Sequence, residues 1–491
     1  MEKLFNVPIK LGNMYLRGDA ELMGPELLAK TLSTNTYFGC FPCEVYAENT
    51  TIKKIRAYIK VRGKGKINLL HFDEAGEKRI KDIDVDTPSL EVCYLPASLE
   101  EYHSGIIYIQ IEGSMFISEI WYEGEGEEKT TRLSIIICTY HREEQVLKNL
   151  QLLNEAVDSD IEIICVDNGN SITNVPDSVR LIKNPNFGGS GGYARGMMEA
   201  EDPTHFWLMD DDIRLEPVVI QKGFTFIKYR KNENINLAAG MFTFENPTLQ
   251  TEATAVFDGY TFHSNASGLD FAKRGDLLKD KIEQNSHTYG GWWSLIIPTT
   301  GELPMPFFIK LDDVEYGLRL RGKYVVLPGF GVWHEAFGKK GNAWNEYYTT
   351  RNTLIIQSMY PELDHNPIKM MAIRLLKGLA YNEPKCMDAV LKGVEDFAGG
   401  TSAFMKINPE KKHIEIVKTY GAPLASDMTR KKMLAAAVKN CMKPKNWRSI
   451  GMFFNAIGSL KSSKCDTDWE KMKTVEFWKA YLGLERTPNR G

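Results

Sequence analysis

No stretch of this 491-residue chain is apolar for long enough to span a bilayer. Its first residues, MEKLFNVPIKLGN, lack the apolar centre of a secretory signal. Both absences predict a cytoplasmic protein, soluble or peripheral on a membrane. The formal net charge is −4 at pH 7, so no global excess of positive charge points to nucleic acid. Eight cysteines are scattered without a regular framework; Cys40 and Cys43 form one CxxC, and no second pair stands at zinc spacing. The thiols therefore read as reduced core residues. A Walker A loop is also missing: the glycine-rich stretch from Phe187 to Tyr193 has the wrong spacing, with no Gly-Lys-Ser/Thr after it.

What is present divides into three parts. Residues 1–131 carry short segments rich in β-branched and aromatic residues, such as Lys54 to Val61, Lys66 to Phe72, Leu90 to Leu95 and Gly105 to Glu112, punctuated by Gly, Asp and Pro. They predict an all-β sandwich or jelly roll, either a scaffold or a sugar-binding module. The polar, glycine-containing stretch Glu123 to Arg132 reads as a linker. Residues 132–360 alternate continuous apolar strands with helical spacing: LSIIIC from Leu133, a helix from Glu143, a strand from Ile161 to Val166, and another from Val179 to Ile182. That alternation predicts an α/β domain built on an open twisted sheet, with ligands outside the carboxyl ends of its strands. From 361 to 491 the pattern is helical.

The chemistry-bearing residues fall at those strand ends. Phe206 to Met209 is an apolar run that ends in Asp210, Asp211 and Asp212. In an extended segment residues i and i+2 share a face, so Asp210 and Asp212 can converge while Asp211 turns aside. Such a pair suits Mg2+ or Mn2+, hard ions that share oxygen ligands with phosphates, and His334 at another apolar segment's end can be a third ligand. A solvated turn capping the next helix is the plainer alternative. Tyr140, Arg142, Asp167 and Asn186 stand at neighbouring strand ends. The Gly188–Gly192 run reads as a turn entering a helix near Ala194, where backbone N–H groups favour anions. Trp292 and Trp293 open an apolar segment; one can be core and the other can line a cleft. Asp312 and Asp313 follow another apolar run, as a helix cap or a general base. Between Thr429 and Lys464 lie nine Lys or Arg, no acidic residue, and the apolar anchors Trp447, Ile450, Met452, Phe453, Phe454, Ile457 and Leu460. This suits the anionic inner face of the plasma membrane, or equally a solvated helical face or a subunit contact.

The segments CTYHR, VDN, NPNFGGSGGY, FWLMDDDIRLEP, GGWWSLIIP, PFFIKLDDVEYGLR, LPGFGVWHEAF and YYTTRN occur in this order. They resemble the inverting family 2 glycosyltransferases, most closely the bacterial galactofuranosyltransferases of the galactofuranan polymerase type. The resemblance implies a GT-A fold and transfer of galactofuranose from UDP-galactofuranose to a hydroxyl of a lipid-linked cell-wall glycan. It implies Asp210, Asp212 and His334 at the metal; Tyr140, Arg142, Asp167 and Asn186 around UDP; Trp292 and Trp293 along the sugar and acceptor cleft; and Asp313 as base with Asp312 beside it. Gly189, Asp211 and Lys310 join the substrate-binding group as members of the matching motifs. The partners implied are a UDP-sugar, a glycan or glycolipid acceptor and further copies of the chain. One departure stands out: Thr349 lies where the polymerase type has a histidine two residues before the Arg351-Asn352 pair. Two other readings remain at this stage, a family 2 transferase using another donor such as dTDP-rhamnose, and a non-catalytic carbohydrate-binding protein.

Overall fold

The computed structural model describes residues 1–157, 159–335, 341–364, 366–424, 430–462 and 468–484. The N-terminal sheet contains β1 (Glu2–Asn6), β2 (Ala20–Met23), β3 (Glu26–Ser33), β4 (Phe41–Pro42), β5 (Lys54–Asp73), β6 (Gly76–Ser98) and β7 (Ile106–Glu125), with α1 (Cys43–Asn49) between β4 and β5. Its order is β2-β3-β7-β5-β6, and β1 and β4 pair with other stretches of β7. Segments that look separate in sequence are single long strands. β5 continues through Gly63, whose φ of 122° and close approach to the Ser114 carbonyl exclude a side chain, so one ladder bends instead of breaking. The polar stretch after Glu123 is not all linker: β7 runs to Glu125, because pairing with β5 outweighs its composition.

The central sheet has nine strands: β8 (Leu133–Thr139), β9 (Ile161–Asp167), β10 (Val179–Lys183), β11 (His205–Asp210), β12 (Ile235–Thr243), β13 (Leu249–Glu252), β16 (Leu269–Asp270), β18 (Ser294–Pro298) and β19 (Lys323–His334). A small sheet of β14 (Thr254–Phe257), β15 (Phe262–Asn265) and β17 (Thr288–Tyr289) lies beside it. The order is β10-β9-β8-β11-β18-β12-β13-β16, with β19 on β12. β8, β9, β10 and β11 are mutually parallel, and β18 is antiparallel to both neighbours. The chain leaves β8 outward through β9 and β10 and returns on its other side as β11. The sheet thus has its switch point at the carboxyl ends of β8 and β11, where a crevice must open. In register, Asp210 stands level with Cys138 and Asp167 with Thr139. The helices here are α2 (Glu143–Ala156), α3 (Gly188–Glu199), α4 (Pro217–Lys228), α5 (Asp312–Arg319) and α6 (Asn345–Met359). One apolar core runs from the N-terminal sheet through α4 into β12 and β19.

α3 begins at Gly188 and not near Ala194, so the glycine run is the helix's first turns. Glycine is a poor helix former, and packing overrides that preference. A Cβ on Gly192 would lie 2.0 Å from Cys138 Sγ, and one on Gly196 would lie 2.3 Å from Ile136 Cγ2. Only a bare backbone lets α3 lie directly on β8. Gly192→Ala is therefore expected to cost about 1–3 kcal/mol by overpacking, measured by thermal or denaturant unfolding; an unchanged midpoint would contradict this packing.

The helical remainder comprises α7 (Pro367–Tyr381), α8 (Pro384–Ala398), α9 (Gly400–Phe404), α10 (Pro409–Tyr420), α11 (Arg430–Cys441), α12 (Pro444–Ser462) and α13 (Val475–Tyr481). α13 turns back onto the central sheet. Trp478 is fully buried among Ile136, Tyr193 and Leu208, and its Nε1 donates to the Pro304 carbonyl at 2.9 Å. Among the described residues no helix is long and apolar enough to cross a membrane.

Candidate active site

The switch-point crevice gathers most of the residues singled out in sequence. β11 is buried up to Met209, and Asp210 then stands at the strand's open end. The Tyr193 hydroxyl lies 2.9 Å from the Met209 carbonyl and 3.2 Å from Asp210 Oδ1. Asp211 turns the other way. It is buried and pairs with Arg142 Nη1 at 2.7 Å, while Asn149 Nδ2 holds the Asp211 and Ile213 carbonyls. Asp212 returns to the Asp210 side. Just beyond it, Arg214 and Trp333 exchange backbone hydrogen bonds of 2.8 and 2.9 Å, which draws the acidic turn against the end of β19. Asp212 Oδ1 is consequently 3.1 Å from His334 Nε2, and its Oδ2 is 2.8 Å from Arg142 Nη1.

Asp210, Asp212 and His334 each direct one ligand atom into a space where these atoms lie within 4.8 Å of one another. Burial first, and then the Asp212 charge, push the Asp210 carboxyl up to about 6. Burial works against an imidazolium at His334, but Asp212 and Asp210 outweigh it and raise its pKa. His334 Nδ1 faces the Glu335 carbonyl at 2.6 Å, an acceptor that suits a proton on Nδ1, so Nε2, which faces Asp212, is the ligand atom of the neutral ring. Two crowded carboxylates and an imidazole nitrogen form a donor set that fits a divalent cation.

The second pair of carboxylates arrives from a different direction. Asp312 and Asp313 open α5 after a loop in which Phe308, Lys310 and Leu311 have φ of 74°, 67° and 66°. Three non-glycine residues in the left-handed region within four positions are costly, and such strain gathers at functional sites. Burial raises the Asp312 pKa; Ser190 Oγ donates to Asp312 Oδ2 at 3.0 Å. Burial, then Asp312, then Asp210 push Asp313 up to about 8, so the two acidic groups sense one another across the crevice. Lys310 is exposed, and its charge partly offsets both shifts.

The remaining sequence candidates are spread around this centre. Tyr140 is exposed at the mouth, beside His141. Gly189 lies in the first turn of α3, within 3.3 Å of Asp312 Oδ2 from the point where its Cβ would stand. Asp167 is fully buried and accepts from Gly169 N, Ile172 N and Lys183 Nζ; burial raises its pKa, but these donors outweigh it and hold it low. Asn186 Oδ1 accepts from Gly188 N and sets the entry to α3. Trp292 and Trp293 precede β18 and face opposite ways, both buried. Trp293 joins the main core and donates to the Ala239 carbonyl, whereas Trp292 sits edge-on to Tyr193 and Tyr316. Trp292 Nε1 has no acceptor among the described residues. Thr349 donates to the Asn345 carbonyl within α6.

Sequence reasoning assigned no role to Tyr193, Ser190, Arg351 or Asn352. All four lie inside the quoted motifs, but their partners are carbonyls and carboxylates far along the chain. Spacing cannot reveal such contacts.

Residues 134–272 match the family described as Glycosyl transferase family 2. The chain is 28% identical over 429 residues to galactofuranosyltransferase GlfT2 of Mycobacterium tuberculosis, covering 77% of this chain and 66% of that protein, just under two thirds of its length. It is 27% identical over 476 residues to GlfT2 of Mycolicibacterium smegmatis, covering 84% of this chain and 72% of that one. Among solved structures, a mannosyltransferase from Pyrobaculum calidifontis in complex with GDP-Man and Mn2+ matches at 11% identity and a TM-score of 0.29, covering 64% of this chain and 88% of that one. That last likeness is too slight to build on. The family match and the sheet order make the central region a GT-A-type domain of the family 2 kind.

Proposed function

We propose that this galactofuranosyltransferase-like family 2 enzyme is a metal-dependent inverting transferase, moving galactofuranose from UDP-galactofuranose onto a hydroxyl of a lipid-linked cell-surface glycan. The observation that supports this most is the facing of two acidic groups across one crevice: the Asp210–Asp212–His334 donor set, and Asp313 with a raised pKa. One group suits a cation and the other suits a proton acceptor. A Mn2+ or Mg2+ ion held by Asp210, Asp212 and His334 would supply positive charge against the departing diphosphate.

The chain's own groups carry the rest. Tyr140 and Arg142 border the nucleotide end, and Arg142 also holds Asp211 and Asp212 in place. Asp167 and Asn186 shape the loops beside the uridine, and Gly189 lets α3 approach the donor. Trp292, buried against Tyr193 and Tyr316 with an unpartnered N–H, backs the sugar side of the crevice. In a single displacement the acceptor oxygen attacks the anomeric carbon, the bond to UDP breaks with its electron pair on the diphosphate, and the hydroxyl proton passes to the Asp313 carboxylate. Asp312, tied to Ser190, orients that carboxylate. No covalent nucleophile is needed, and the anomeric centre inverts. Incubation with UDP-galactofuranose, a lipid-linked acceptor and Mn2+, followed by mass and linkage analysis, tests the reading. UDP release only with another donor, such as a dTDP-sugar, would replace the donor and keep the chemistry. No transfer with any donor would leave a carbohydrate-binding protein.

We also propose peripheral contact with an anionic inner membrane face through α11 and α12. Not all of the expected anchors serve: Phe453 is buried, and Ile457 and Leu460 pack with it against α7 and α8, while Ile450 lies against the α7–α11 contact. Thr429, Ser463 and Lys464 lie outside the described residues. The exposed apolar residues are Leu434, Val438, Met442, Trp447, Met452 and Phe454, interleaved with Lys431, Lys439, Lys443, Lys445 and Arg448. Binding to phosphatidylserine vesicles is expected to weaken as salt rises, and to weaken further when Lys431, Lys432, Lys443 and Lys445 are replaced by Gln. Salt-independent binding, or none, would leave the two helices as a solvated helical face or a subunit contact.

A further inference from the structure

Arg351 and Asn352 are adjacent, buried residues of α6, and three of their side-chain hydrogen bonds go to another element's backbone. Arg351 Nη2 donates to the Phe307 carbonyl at 2.8 Å. Asn352 Nδ2 donates to the Ile309 and Lys310 carbonyls at 3.1 and 2.7 Å. Arg351 Nε donates to Asn352 Oδ1 at 2.9 Å, which fixes the amide's orientation and turns both hydrogens toward the loop. From the opposite side the N-terminus of α3 closes on the same segment. Ser190 N donates to the Phe308 carbonyl at 3.4 Å, and that oxygen would lie 2.0 Å from any Cβ on Gly188. Four successive carbonyls, from Phe307 to Lys310, are therefore held from two directions.

The loop so held is the one with three left-handed non-glycine residues, and its next residues are Asp312 and Asp313. A loop in that conformation would relax if it were free, so something must over-determine it. The guanidinium is an expensive way to do so. It is buried against the rings of Tyr347, Tyr348 and Phe404 at 5.0–5.2 Å, no carboxylate pairs with it directly among the described residues, and Asp396 is reached only through the Tyr347 hydroxyl, to which Arg351 Nη1 donates at 3.2 Å. A buried cation with no direct ion pair costs stability, and a residue needed only for packing would be apolar.

We infer that Arg351 and Asn352 are positioning residues, which clamp the left-handed Phe307–Leu311 loop and thereby aim the Asp313 carboxylate at the acceptor hydroxyl. The inference rests on the reading of Asp313 as the base. It assigns the pair no contact with substrate. Because the clamp acts on the loop and not on the Asp210–Asp212–His334 cluster, its loss affects turnover and leaves donor affinity in place.

The test uses the full chain with UDP-galactofuranose, Mn2+ and the lipid-linked acceptor. Asn352→Asp keeps the size but replaces both N–H donors with oxygen. It is expected to lower kcat by about 10- to 100-fold, the scale of a misplacement near 1 Å, with the donor KM changed less than about threefold. Arg351→Lys keeps the charge but cannot fork to Phe307 and Asn352, and it should show the same split more mildly. The double variant Asp313→Asn/Asn352→Asp should be no slower than Asp313→Asn, since a clamp has nothing left to aim. Parent-like kcat in both Asn352→Asp and Arg351→Lys, with Asp313→Asn inactive, would overturn the positioning role. Multiplicative losses in the double variant, or failure of both single variants to fold, would overturn it as well. An active Asp313→Asn would instead remove the base assignment on which the inference rests, and the two failures are told apart by that variant alone.

Discussion

Asp313→Asn is expected to reduce turnover by roughly 100-fold or more, the range for losing a general base, while UDP-sugar binding stays nearly unchanged. The substitution conserves volume and removes only the proton acceptor. The Asp210–Asp212–His334 cluster lies at the ends of β11 and β19, and Asp313 on α5, so nucleotide affinity has no reason to follow. Val314 N donates to Asp313 Oδ1 at 2.9 Å, a bond the Asn oxygen can accept as well, and this favours a folded variant. The same residue carries a pH signature in the metal-free protein. Folded, Asp313 keeps its proton up to about pH 8; unfolded, it releases it near pH 4. Between those values the folded state binds more protons, so this group's contribution to stability falls as pH rises and levels off above 8. Asp313→Asn escapes the loss. Its stability relative to the parent should therefore grow between pH 5 and pH 8, by at most about 1.4 kcal/mol per pH unit. A midpoint difference that stays flat across this range would refute the raised pKa, and normal turnover would refute the base.

The second large effect is expected at Asp212. Its two oxygens face His334 and Arg142, and Asp212→Ala removes a proposed ligand and the side-chain link to His334 together, while the backbone pairing of Arg214 with Trp333 remains. Mn2+ titration in the presence of UDP should lose its saturable phase. Turnover should fall by about 1,000-fold or more, since a Lewis-acid ion contributes several kcal/mol and each 1.4 kcal/mol is tenfold. The fold should persist, because Asp210 is relieved of a neighbouring like charge. Asp211→Ala is expected to be milder in metal binding: Arg142 loses one carboxylate and keeps Asp212. Parent-like activity of Asp212→Ala, or a heavier loss of metal binding at Asp211→Ala, would remove the assignment.

The parts of this site that follow from the chain's local pattern could be read in advance. β8, β9 and β11 are largely apolar because parallel strands are covered on both faces, and they end at the polar residues Thr139, Asp167 and Asp210. Alternation along an extended end separated Asp211 from Asp210 and Asp212. What could not be read depends on contacts between distant elements. The glycines of α3 look like a turn because their role, admitting β8 at van der Waals distance, belongs to Cys138 and Ile136. The left-handed loop before Asp312 has no glycine to announce it, since its conformation is imposed by α6 and α3. Similarly, β5 looked like two short strands because its bend at Gly63 is shaped by Ser114 on the strand opposite.

The return of α13 to the central sheet bears on when the central region is covered during synthesis. Trp478 reaches Pro304 across 174 residues of chain, and it covers the flank of α3 that carries Gly191. A ribosome that has already released the central sheet has not yet supplied this cover. Until α13 emerges, α3 lacks one wall, and an apolar surface that includes Tyr193 and Leu208 stays open to solvent or to a chaperone. The wall of the proposed donor crevice is thus translated long before the helix that covers its back.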